Sequence, residues 1–118
     1  MNIEDKTTLN KLKEFCKDNP NTVGHQISFT FSGSGDDGWD EIDAYDVVFK
    51  EFFKNTDKNE LASEITGFVP FDWVNDLGGN GSGTLTVVKN GEDIKLKIYM
   101  DCCEIIEQSN NHTIEKEL

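Results

Sequence analysis

The chain has 118 residues, with 23 acidic residues against 11 basic ones and a formal charge of −12. All 11 basic residues are lysine. Without arginine, the bidentate reader of phosphate and guanine, and with so negative a field, direct binding to DNA, RNA or an anionic membrane surface is disfavoured. A composition 36% hydrophobic with eight Phe is too rich in core-forming residues for a disordered chain. Residues 1–118 are therefore expected to form a single domain around one core.

No run approaches the ~20 apolar residues of a spanning helix, and Met1 to Lys13 lacks the basic-then-apolar pattern of a signal peptide. Cys16, Cys102 and Cys103 are odd in number, and the adjacent pair could bridge only with strain. These features point to a reducing compartment, the cytoplasm.

In chain order, Leu9, Leu12, Phe15 and Cys16 form one helical stripe, with Thr7 or Thr8 as cap and Asn19-Pro20 as stop. Lys11, Lys13 and Lys17 lie on its solvated side. From Gln26 to Ser32 the pattern alternates strictly, with Ile27, Phe29 and Phe31 on one face, which predicts a half-buried strand. Gly33 to Gly38 then reads as a glycine-rich loop, and residues 39–45 fit either a returning strand or the start of a helix. Tyr45, Val48, Phe49, Phe52 and Phe53 recur at helical spacing and predict a helix over Tyr45 to Asn55. Asp57 with Glu60 offers a cap for a second short helix bearing Leu61, Ile65 and Phe68. After Pro70, Phe71 to Leu77 reads as a helical turn or ordered aromatic loop, and Gly78 to Gly83 as a flexible connector.

Near the end, Thr84 to Lys89 and Glu92 to Met100 flank Asn90-Gly91, the preferred central dipeptide of a type I′ hairpin. Leu85, Val87, Ile94, Leu96, Ile98 and Met100 are its inward set. The second arm is expected to run through Cys102 toward Ile106, with Gln108 to Leu118 as a fraying polar tail. The whole predicts an α+β domain: an antiparallel sheet of three to four strands with helices packed on one face.

Residues 36–64 hold ten acids against three lysines, the most acidic stretch per residue. Within it Asp36, Asp37, Asp40, Glu41 and Asp43 crowd beside Trp39. Carboxylates beside glycines could hold Ca²⁺, which gives a calcium module as one alternative, but the EF-hand register fails and no metal site is assigned. The same acids could present a phosphate-like pattern to a basic groove, with Trp39 and Trp73 as aromatic anchors. The plainest role for the acids is solubility. Gly78 to Gly83 lacks the following Lys-Ser or Lys-Thr of a phosphate loop. His25 and His112 fall in no zinc spacing. No cofactor, catalytic residue or enzymatic activity is assigned.

With its strand, its Gly33-Ser34-Gly35-Asp36-Asp37-Gly38 motif and its Asn90-Gly91 hairpin, the chain resembles small acidic proteins of bacteria and their mobile elements. In size, acidity and lack of a catalytic signature it is similar to anti-CRISPR and other phage anti-defence inhibitors. That resemblance is one of type and carries over no residue. It implies a protein that engages a basic partner, a nuclease or CRISPR effector, and blocks its guide or substrate nucleic acid. An immunity protein that neutralises a cognate toxin is the alternative from another class.

Overall fold

The computed structural model describes residues 7–74, 78–105 and 110–118. It is α+β: one antiparallel sheet of five strands with three α-helices on one side. The strands are β1 (Gln26–Ser34), β2 (Asp37–Tyr45), β3 (Gly79–Asn90), β4 (Asp93–Glu104) and β5 (Asn110–Glu117), in the order β2-β1-β3-β4-β5. The helices are α1 (Thr8–Asp18), α2 (Lys50–Lys54) and α3 (Lys58–Thr66).

Helix α1 forms where its stripe places it, burying Leu9, Leu12 and Cys16. The Thr7 side chain caps its start by accepting from the Asn10 N–H at 3.2 Å. Helix α3 likewise begins at Asp57, whose carboxylate accepts from Asn59 N–H at 2.8 Å. The helix expected over Tyr45 to Asn55 is shorter. Tyr45 ends β2, a 3₁₀ turn spans Val47–Phe49, and only Lys50–Lys54 are α-helical. Asp46 sets the boundary: its carboxylate accepts from the Gln26 N–H at 3.0 Å and meets His25 at 3.1 Å, tying the chain to the start of β1. Phe49, Phe52 and Phe53 are buried as their spacing requires, while Val47 is 78% exposed.

The sheet exceeds the expected three to four strands for two reasons. Residues 39–45 resolve into β2, joined to β1 through Gly35 and Asp36, both at positive φ (59° and 68°), as a type I′ turn demands. Within the segment expected to fray, Asn110–Glu117 is β5, paired with β4 from Glu104↔Asn110 to Lys97↔Glu117, while Gln108 and Ser109 lie outside the described residues. Strand β5 reads as polar because the face it turns toward the helices, Asn110, His112, Ile114 and Lys116 opposite Glu104, Cys102, Met100 and Ile98, carries one aliphatic residue, Ile114.

The glycine run is no connector. Gly79, Gly81 and Gly83 occupy alternate positions of β3 on the helix side, opposite Gly33, Phe31 and Phe29. A Cβ at Gly81 would sit 2.7 Å from the Phe31 ring, so the missing side chain is what lets that ring lie against the sheet. Hairpin β3–β4 is present with a different turn: Asn90 pairs with Asp93, leaving Gly91-Glu92 as the loop. Only Gly91 has positive φ (65°), which matches type II′ rather than I′.

The core lies between the helices and one face of the sheet, with Ile27, Phe29 and Phe31 of β1, Leu85 and Val87 of β3, and Leu96, Ile98 and Met100 of β4. Leu12, Phe49, Leu61 and Ile65 close it from the helical layer. Burial pushes the Cys16 and Cys102 thiols above their usual range, and all three cysteines are free. No helix among the described residues is long and apolar enough to cross a membrane.

Candidate functional site

Because side chains alternate across a strand, the registers sort the acidic segment into two faces. Opposite the helices, β2 presents Asp37, Trp39 and Glu41, paired with Ser34, Ser32 and Thr30 of β1. A bulge between Ser28 and Phe29 leaves Asp43 without a ladder partner, and its carboxylate accepts from Thr30 Oγ1 at 2.9 Å on this same open face. Asp36 sits at the turn with φ 68°, its N–H donating to the Val74 carbonyl.

Asp40 points the other way. Its carboxylate accepts from Thr66 Oγ1 at 3.0 Å and lies 3.5 Å from Ser63 Oγ, binding β2 to α3. The five acids therefore do not converge, and no three potential metal ligands cluster among the described residues. Trp73 also belongs to the helix side. Its ring meets Phe31 edge-on, centroids 5.0 Å apart, and would lie 2.9 Å from a Cβ placed at Gly38, while a Cβ at Gly33 would strike the Trp73 carbonyl at 2.5 Å. The half-buried indole thus packs against the core, and the two candidate anchors lie on opposite faces: Trp39 is 53% exposed.

No helix covers the open face. Following the registers across all five strands gives two side-chain rows, Trp39–Ser32–Asn80–Cys103–Asn111 and Glu41–Thr30–Ser82–Asp101–Thr113. Between them runs a groove of about 610 Å³ that crosses β1, β3, β4 and β5 and is closed at one end by Trp39. Its floor is the main chain of Phe31, Gly81, Cys102 and His112, whose side chains turn to the opposite face where they have one. Asp101 stands in one bank, held by the Thr113 hydroxyl, which donates to it at 2.9 Å. Sequence reasoning passed over this groove. The signal for it was Gly79-Asn80-Gly81-Ser82-Gly83, whose period of two gives one face no side chains and the other small polar ones.

Two ion pairs tie β4 to β5. The Lys97 ammonium lies 2.5 Å from Glu115 across β4 and β5, which holds its pKa above the usual value. His112 meets Glu104 at 3.4 Å and stacks near Phe71 on the helix side. Comparison with protein-family models, with curated proteins and with solved structures finds no match to this chain.

Proposed function

We propose that this chain is a small acidic inhibitor that binds a basic nucleic-acid-processing protein, a nuclease or CRISPR effector, and blocks its guide or substrate nucleic acid. The reading rests on one observation: an exposed indole, Trp39, stands on one face of an edge strand in line with Asp37, Glu41 and Asp43. Side chains on one face of a strand repeat about every 6.7 Å, so these carboxylates make a short linear array of negative charge. Such an array steers a positive groove toward it and sets register, while a desolvated indole supplies lifetime. The chain's charge of −12 and lack of arginine favour the same class of partner.

The test is to mix the purified protein with purified CRISPR effectors, with and without guide RNA, and with nuclease toxins. Complex formation and cleavage are followed between about 50 and 200 mM salt, where contacts to many phosphates or their mimics weaken steeply. Inhibition that fades with added salt and is relieved by excess guide or substrate is the expected result. No complex with any of these basic proteins at the low-salt end would sink the proposal.

A further inference from the structure

From the groove on the open face we infer the element of the partner that it receives: an extended, arginine-bearing segment laid across the strands, with one guanidinium stacked on Trp39 beside Glu41. This inference rests on the reading of the chain as the binder of a basic protein.

The groove's shape selects the occupant. Its two banks are residues two apart along each strand, about 6.7 Å from one another, so a single extended chain laid straight along it keeps both rows within reach over its whole length. The banks carry the hydroxyls of Thr30, Ser82 and Thr113 and the amides of Asn80 and Asn111, groups that meet a peptide backbone as both donors and acceptors. The charges are one-sided. Glu41 and Asp101 share one row, and the bank-lining residues include no lysine. The Glu41 carboxylate makes no hydrogen bond or ion pair with another described residue, whereas that of Asp101 is fixed in direction by Thr113.

Trp39 decides between the two basic side chains. A planar guanidinium stacks on an indole and still offers in-plane N–H donors to a neighbouring carboxylate, whereas an ammonium is a strongly hydrated point charge. The two ends also set a spacing. Asp101 on β4 is three strand intervals from Trp39 and Glu41 on β2, about 14 Å, which is about four residues of extended chain. The fitting segment therefore carries an arginine and a second basic residue four positions away, alternate side chains of such a chain falling on one side.

Three Gly-Ser peptides separate these features: two arginines four residues apart, two lysines four apart, and two arginines adjacent. The protein has two tryptophans, so its NMR spectrum shows two indole N–H signals, and Trp39→Phe assigns them. The first peptide is expected to shift the Trp39 signal and to bind about threefold to tenfold more tightly than the other two. Trp39→Ala and Asp101→Asn should each erase that preference, and both sites are exposed enough for the fold to persist, checked by the unmoved Trp73 signal. Equal binding of the three peptides, or a Trp39 signal that stays in place, overturns the inference. If a basic effector is nevertheless bound in a salt-sensitive way, the inhibitor reading stands and only the groove is removed from it. If no effector binds but the peptide preference appears, the groove is upheld as an arginine site and the effector reading falls.

Discussion

Glu64, in the last turn of α3, caps the first turn of α1: one carboxylate oxygen accepts the N–H of Thr8 at 2.8 Å and the other that of Leu9 at 3.0 Å. A helix begins with unpaired N–H groups and a partial positive charge, so a carboxylate held there satisfies two donors and the dipole together. Thr7 supplies the local cap, and Glu64 adds one from 56 residues away in sequence. Glu64→Ala is therefore expected to cost about 1–2 kcal/mol in urea unfolding, with Glu64→Gln between it and the wild type. An Ala variant with an unchanged midpoint would show that solvent replaces the contact fully.

Two glycines should respond to alanine for different reasons. At Gly81 the new methyl meets the Phe31 ring and the Asp101 carbonyl at 2.7 Å, both within a packed sheet, and a cost of about 1–3 kcal/mol follows from the forced shift. At Gly91 nothing lies within 4 Å, but φ is +65°, so only the backbone is strained, by about 1–2 kcal/mol. Gly91→Asn should recover part of that loss, whereas no residue with a side chain should rescue position 81. Thermal melts of the three variants check this ordering.

Asp46 carries a pH dependence. The Gln26 N–H and His25 hold its carboxyl below the ordinary carboxylate range. A depressed folded-state pKa contributes stability that is present above the unfolded pKa of about 3.9 and is lost as pH falls through the lower folded value. Asp46→Asn should thus be less stable than the wild type near neutrality, and the gap should close below about pH 3. A gap constant from pH 7 to pH 2.5 would assign the role of Asp46 to its hydrogen-bond geometry alone.

Charge and indole on the open face should act on different rate constants. Replacing Asp37, Glu41 and Asp43 by Asn or Gln is expected to slow association with a basic partner and flatten its salt dependence, because charges at a contact's rim chiefly steer encounter. Trp39→Ala should mainly speed dissociation, by about thirtyfold if the indole is a central anchor worth about 2 kcal/mol. Asp40→Asn is the control: it faces Thr66 and Ser63, so it should lower stability and leave association unchanged. Wild-type association rates for the triple variant at every salt concentration would return the acids to a role in solubility.

Much of this fold was legible wherever one local rule acted alone. The stripe of Leu9, Leu12 and Cys16, the alternation of Ile27, Phe29 and Phe31, and the Asp57 cap each encode their element within a few residues, and each is present. The same locality set the limit. Gly79 to Gly83 has turn composition, and it is a strand because β1 and β4 pair with it on both sides and the Phe31 ring needs its missing side chains, contacts with segments distant in sequence. Asn110–Glu117 has too weak an apolar alternation to declare itself, and it is a strand because β4 offers an edge to pair with. By itself the sequence determined the charge, helices α1 and α3, the pairing of β3 with β4 and the crowding of acids around Trp39, since these follow from composition and short-range periodicity, whereas the stripe over Tyr45 to Asn55 was cut short by the ties of Asp46 to β1. Tertiary structure decided which acids share a face. A strand sends neighbours to opposite sides, so Asp40 went to α3 while Trp39 stayed on the open face; Trp73, from the segment between α3 and β3, packed against Phe31, and pairing across five strands brought Trp39 and Asp101, 62 positions apart, to one groove.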